Sequence, residues 1–393
     1  MTIEIEAIQE ALRADRIDGW LLYDFHGSNP IARRVIGLDE TKKLTTRRWY
    51  YLIPAKGSPQ ALVHAIEHAC LGPVPGDRHE YTERQQLSDG LAALVAGCGR
   101  LAMEYSPKCE IPSLSRVDAG TVDSLRELGI EVVSSGDLVQ RFEALWSNDA
   151  LATHREASER LYRIKDRAFA LIAERTRTGC AMTEFEVQQT MAGWFKNEGL
   201  ITDCPPIVAA AESSGDPHYL PTADRTRPIH ADELVLLDLW GKLEVPGAVF
   251  ADITWVGHTG ARVPDEHATA FRVARDARDS AVVLVENAVK VKRDLRGWEV
   301  DRAARAVVEE AGFGQHFMHR TGHSLGTTVH GNGVYMDDYE TRDDRRVLPG
   351  IGFTIEPGLY FERFGVRTEI NVYVGNNDVM VTGPLQTNIM PLI

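Results

Sequence analysis

Apolar residues along this chain alternate between helical spacing and strand spacing. In residues 4–17, Ile5, Ile8, Leu12 and Ile17 recur among charges at the period of an amphipathic helix. Residues 19–23 then read as a strand, followed by a loop from His26 to Pro30. Residues 48–54 and 60–63 read as two strands around a Lys-Gly-Ser-Pro turn. A helix over 87–96 lies between these strands and two later ones, at 100–104 and 131–135. Strands mixed with helices in this order predict an α/β layer, assigned to a first domain over residues 1–148.

From residue 150 to 178 the helical period is long, with Leu161, Ile164, Ala168 and Ile172 on one face. Thr183 and Glu186 have the spacing of a capping box, so a second helix is expected to run to about residue 196. Two apolar strands follow at 234–240 and 248–255, separated by a Gly/Pro-containing turn. Helices are predicted over 265–289 and 298–312, and strands and loops beyond them. The fold class expected is α+β, with a second domain over residues 149–393. The run 337–346 mixes acidic and basic residues densely and reads as a solvated loop.

Composition narrows the function classes. The 393 residues are 44% hydrophobic and 25% charged, ordinary for a soluble globular protein. A net charge of −14 argues against nucleic acid or an anionic membrane as the main partner. No stretch approaches the ~20 apolar residues of a membrane span. The five cysteines lack metal-binding spacing and the N-terminus lacks a basic and apolar leader, so a cytoplasmic protein with free thiols is expected.

The chemistry concentrates in apolar strands that carry acids. Asp238 and Asp252 each lie within one of the two paired runs, among Val, Leu, Phe and Ile. Glu356 follows Phe-Thr-Ile, and Glu369 lies two residues after Arg367 in one strand, which places the two on one face. His323 and His330 share a glycine-rich loop. A buried unpaired carboxylate is too costly to keep, and four together repel one another. One arginine does not balance them. Two divalent cations do, with Mn2+ favoured over Zn2+ or Co2+ for an oxygen-rich set with one imidazole. Two ions ~3.5–4 Å apart generate a hydroxide and polarise a carbonyl.

Taken together in this order, these residues resemble the pita-bread metallopeptidases, the family of aminopeptidase P, prolidase (Xaa-Pro dipeptidase) and methionine aminopeptidase. The resemblance is clear from about residue 150 onward. Residues 47–54 add a weaker likeness to the creatinase-type N-terminal domain of prolidases. The family's ligand order of Asp, Asp, His, Glu, Glu falls on Asp238, Asp252, His323, Glu356 and Glu369. Its loop histidine falls on His218, its second histidine on His330 and its arginine on Arg367. The departures are an insertion at 242–246, Trp255 after Asp-Ile-Thr, Gly331 after His330 and Ile370 after Glu369; none removes a ligand.

The resemblance implies a pita-bread catalytic domain holding two divalent metal ions, a proline-containing di- or oligopeptide substrate and a homodimer. Glu356 would also shuttle a proton, His218 and His330 would bind substrate and oxyanion, and Arg367 would hold the Glu369 side of the site or the substrate. Trp255, Tyr219 or Phe353 would line a pocket for the proline ring, and Arg47 or Arg48 would meet a substrate carboxylate. A Xaa-Pro dipeptidase is the first reading. An aminopeptidase P acting on longer peptides is the second, and a metal-free binding module of the same fold is a third of a different class.

Overall fold

The strand Gly19–Asp24 is buried along its whole length, which is why its sequence is a continuous apolar run rather than an alternation. Trp20 and Leu22 face one core with the helices Ile5–Ala14 and Gly136–Glu143. Leu21 and Tyr23 face another with the helices Arg84–Leu94 and Ala119–Glu127. In this computed structural model, residues 3–38 and 45–393 are described. They divide into two units, Met1–Glu143 and Ala144–Ile393.

In the first unit the strand order is Asp77–Tyr81, Gln60–His64, Trp49–Pro54, Gly19–Asp24, Arg100–Met103, Glu131–Ser134. The expected α/β layer is present, but the strand Asp77–Tyr81 and the helices Pro30–Val35, Ala119–Glu127 and Gly136–Glu143 are absent from the sequence reading. The strand Asp77–Tyr81 is polar and exposed except at Tyr81, so it lacks an apolar signature. The helix Pro30–Val35 has only six residues, and Asn29 caps it by accepting the Ala32 amide at 3.1 Å.

The second unit is built around the antiparallel pair Leu234–Leu243 and Ala251–His258. Its odd-numbered residues, Val235, Leu237, Leu239 and Ile253, bury against the helices Asn148–Arg177 and Glu184–Asn197. Leu234, Leu236 and Val256 on the other face bury with the helices Asp265–Lys290 and Gly297–Glu310. The same core takes Phe353, Ile355, Ile370 and Val372 from a second sheet. That sheet orders Ser324–Leu325, Gly352–Ile355, Ile370–Val374 and Val379–Thr382. The capping box at Thr183 and Glu186 forms, with the Thr183 amide 2.8 Å from Glu186 Oε2.

Two expectations change. The stretch around Arg367 and Glu369 is two strands, not one. Gly365–Arg367 pairs with Gly358–Tyr360 in a hairpin, and Ile370–Val374 pairs with Gly352–Ile355. Thr368 and Glu369 link them, and Arg278, buried in its helix, holds the link by donating to Thr368 Oγ1 at 2.8 Å. The charged run 337–346 is partly internal. Asp337, Asp343 and Arg345 are buried. Asp337 accepts the amides of Tyr339 and Glu340 at 2.9 and 3.0 Å, and Asp343 accepts the Tyr335 amide at 2.8 Å while pairing with Arg345. Mixed sign, read as solvation, is here internal pairing and turn capping.

Candidate active site

Strand pleating decides which side chains converge. On the paired strands, Asp238, Asp252 and Thr254 project from the face opposite Leu237, Leu239 and Ile253. Thr254 lies directly across from Asp238, and Asp252 across from Trp240, so the two aspartates are diagonal neighbours. The two sheets are sewn together here. The Asp252 amide donates to Asn371 Oδ1 at 2.9 Å, and the Glu369 amide donates to the Thr254 carbonyl at 3.2 Å. In the second sheet Phe353 and Ile355 enter the core while Thr354 turns the other way, and Glu356 follows it. Thr354 Oγ1 accepts the His323 amide at 2.9 Å and donates to Glu356 Oε1 at 3.2 Å. Gly322 permits this closure, because a Cβ there would stand 1.9 Å from the Thr354 carbonyl oxygen.

Asp252, His323 and Glu369 are buried, and their donor atoms lie within 4.8 Å of one another. His323 Nε2 stands 3.5 Å from Asp252 Oδ2 and 3.6 Å from Glu356 Oε1. The other ring nitrogen, Nδ1, is 3.2 Å from the Ser324 carbonyl and must be the protonated one to bond it. Burial holds His323 below its ordinary range. The neutral ring therefore aims a lone pair at two carboxylate oxygens, a repulsive arrangement unless a cation lies among them. Asp252 Oδ1 is buried without any hydrogen-bond partner. Burial first, then the neighbouring carboxylates, push Asp252 and Glu369 well above the usual carboxylate range. Glu356 is held lower: the effect of its burial is outweighed by positive charge, that of His323 and His319 whenever either takes a proton and that of Arg367 and Arg320 throughout.

Arg367 is the guanidinium in direct contact with the cluster. It pairs with Asp238 Oδ2 and donates through Nε to Thr254 Oγ1 at 3.0 Å. Thr254 Oγ1 in turn donates a hydrogen bond to Glu369 Oε2 at 2.7 Å. So Arg367 and Glu369 do face the same side, through Thr254 rather than along one strand. Replacing Thr254 with Val strands an arginine N–H and a carboxylate oxygen. A loss of about 1–3 kcal/mol is expected in chemical denaturation, with the fold retained.

The other expected residues divide. His330 stacks edge-on to His323, with ring centroids 4.3 Å apart. It is exposed overall, yet burial of its ring on that side, with His323 and Arg320 beside it, holds it below its ordinary range. His218 is exposed on the loop after the turn Ala211–Gly215, with its amide donating to Asp216 Oδ1 at 3.0 Å. That turn braces the Arg367 hairpin, since the Gly365 amide donates to Ser214 Oγ at 2.8 Å. His218 is not among the groups gathered at the cluster.

The three side chains expected to line a proline pocket are all elsewhere. Phe353 is in the core. Trp255 faces the helix Asn148–Arg177, with Lys165 Nζ 3.7 Å above its ring. Tyr219 is buried, its hydroxyl bonded to Glu184. Each occupies the face of its element opposite the acids, or a loop tied down on its own. Arg47 and Arg48 are exposed in the first unit.

Several residues of the site were missed. Tyr360 accepts from Arg367 Nη1 at 2.8 Å and lies 2.9 Å from His319 Nε2. His319 Nδ1 is 2.7 Å from the Arg320 carbonyl, so that nitrogen carries the proton and the tyrosine donates to Nε2. Thr254 was legible, because it lies two residues past Asp252 on the same face. Tyr360 and His319 carried no such signal, for their partner Arg367 is brought in by a hairpin.

The donor set tests well against a divalent pair. Four carboxylates and one imidazole are hard or borderline ligands, the guanidinium balances one acid, and an orphaned buried oxygen and an aimed lone pair remain. Comparison with known proteins agrees with that reading. Residues 152–376 match the sequence profile of metallopeptidase family M24. "Probable dipeptidase PepE" of Mycobacterium bovis is 29% identical over 249 residues, 63% of this chain and 60% of that protein. The Xaa-Pro dipeptidase of Lactobacillus helveticus is 30% identical over 171 residues, 42% of this chain and 40% of that protein. The matched stretch thus spans about 60% or less of these relatives' length. The crystal structure of dipeptidase PepE from Mycobacterium ulcerans superposes with a TM-score of 0.65 at 22% identity. It covers 99% of this chain and 96% of that one, a likeness of fold that carries the pita-bread architecture. Since the profile takes in the whole stretch from the long helix through all five acid and histidine positions, this chain belongs to metallopeptidase family M24.

Proposed function

We propose that this protein hydrolyses Xaa-Pro bonds, acting as a Xaa-Pro dipeptidase with two divalent ions held by Asp238, Asp252, His323, Glu356 and Glu369. The observation that carries the metal part is the set of buried carboxylates around a neutral His323, with Asp252 Oδ1 left without a partner. The substrate part draws on the relative named Xaa-Pro dipeptidase. In this reading residues 149–393 form the catalytic domain and residues 1–148 a creatinase-type domain. Mn2+ is the favoured ion of so oxygen-rich a set.

Asp238, Asp252, His323, Glu356 and Glu369 would together hold the ions. When bound, the pair supplies a hydroxide nucleophile and polarises the scissile carbonyl. Glu356, kept ionised and oriented by Thr354, takes up the proton and delivers it to the leaving nitrogen. His330 and His218 donate to the carbonyl oxygen as charge develops on it. Arg367 fixes Asp238 directly and Glu369 through Thr254. A proline nitrogen has no N–H, so the site needs no acceptor at that atom.

The test is a panel of Ala-Pro, Met-Pro and Xaa-Pro-Xaa peptides with Mn2+-loaded protein and parallel metal analysis. Hydrolysis of the dipeptides is expected. Cleavage of the longer peptides alone makes the protein an aminopeptidase. A protein that binds no metal and cuts neither would be a binding module of this fold.

A further inference from the structure

One face of the strand Leu234–Leu243 presents Asp238, Trp240 and Lys242 in turn. Trp240 lies opposite Asp252 in register, and its indole packs beside Phe250, Leu325 and Val329. Lys242 Nζ donates to the Thr327 carbonyl at 2.7 Å, which ties the loop bearing His330 to this strand. Trp240 Nε1 donates to Asp203 Oδ1 at 2.6 Å. Asp203 is thereby fixed to the side chain that leaves this strand on the same face as Asp238 and is paired in register with Asp252. It is exposed, its anchor is a neutral indole, and it makes no ion pair among the described residues. It is also outside the group of donors that converge on a common point.

We propose that Asp203, held in place by Trp240, binds the free α-ammonium group of the peptide substrate and so selects unblocked N-termini. This rests on the peptidase reading above. In a peptide cut after its first residue, the ammonium nitrogen is separated from the scissile carbonyl carbon by a single Cα. A cation recogniser must then stand near the hydrolytic groups, and Asp203 is tied to Trp240, the residue paired with Asp252. A carboxylate bonded to a neutral donor keeps its full charge for an incoming cation, and its second oxygen is free to accept. The indole beside it offers an apolar wall to the first side chain. The insertion at 242–246 contributes through Lys242, which fixes the opposite wall.

The contrast between Ala-Pro and propionyl-proline, which lacks only the amino group, isolates this contact. In Asp203→Asn the amide oxygen still accepts from Trp240. Its KM for Ala-Pro is expected to rise roughly fivefold, the size of a partly exposed ion pair. Its kcat for Ala-Pro, and both parameters for propionyl-proline, should stay within about a factor of two. Asp203→Glu should recover part of the loss, and metal content should not change. Equal shifts for the two compounds, or none, overturn the assignment. Wild-type protein that cuts neither compound sinks the peptidase reading instead. The same contrast is then read by titration calorimetry of Ala-Pro and propionyl-proline against wild type and Asp203→Asn. There, a preference for Ala-Pro that the variant loses upholds the role of Asp203, and a preference that it keeps ends it.

Discussion

Glu356→Gln is expected to lower kcat on Ala-Pro by about 10²–10⁴-fold, the range of a lost general acid–base group. The amide has the shape of the carboxylate and still accepts from Thr354 Oγ1, so the local geometry should hold. What it cannot do is take a proton and return it. Burial raises this acid, and the charges of Arg367 and Arg320 beside it act the other way. Asp252 and Glu369 are pushed upward, by burial and by the carboxylates around them. The variant also bears on metal retention. Two ions per chain with lost turnover assigns the proton transfer to Glu356. One ion per chain assigns the loss to ligation, and turnover near wild type removes Glu356 from the mechanism.

Removing metal should abolish hydrolysis and reverse the pH dependence of stability. Asp252 and Glu369 have folded-state pKa values raised well above ordinary by burial and by each other's charge. A carboxyl whose pKa is raised on folding stabilises the fold while protonated. Its contribution is complete below the unfolded value near 4 and fades as pH climbs toward the folded value. Chelated protein should therefore lose Tm as pH rises from about 4 toward neutrality. Arg367, raised further still by Tyr360, Asp238 and the glutamates around it, stays charged throughout and does not contribute to that slope. Metal binding to the ionised acids reverses the trend, and each site filled at 100 times its Kd adds about 2.7 kcal/mol. Melting curves with and without chelator across this range decide the matter. Parallel profiles would mean that the acids are balanced by something other than cations.

The sequence was informative where a local period coincided with tertiary burial. The helices Asn148–Arg177, Glu184–Asn197, Asp265–Lys290 and Gly297–Glu310 each carry an apolar stripe and lie close to their predicted bounds. The paired strands at 234–243 and 251–258 were equally plain, because an acid inside an apolar run is a local anomaly. It failed where a partner is distant. Asp343 and Arg345 look like surface charge until Tyr335 and Asn332 are placed around them. Trp255 and Phe353 seemed suited to a substrate pocket, but the pleat sends them into the core.

By itself, then, the sequence determined that acids would be buried and would need compensating charge, with divalent ions as the expectation, since desolvation of a carboxylate follows from its immediate neighbours in a strand. Only the tertiary structure decided which acids meet. The hairpin at Arg367 and the break at Thr368 bring Glu369 to Thr254. Closure of Thr354 on Gly322 aims His323 at Asp252 and Glu356. Such contacts join residues from 31 to 115 positions apart, and no periodicity within one segment encodes them, because electrostatic coupling depends on distance through space and not along the chain.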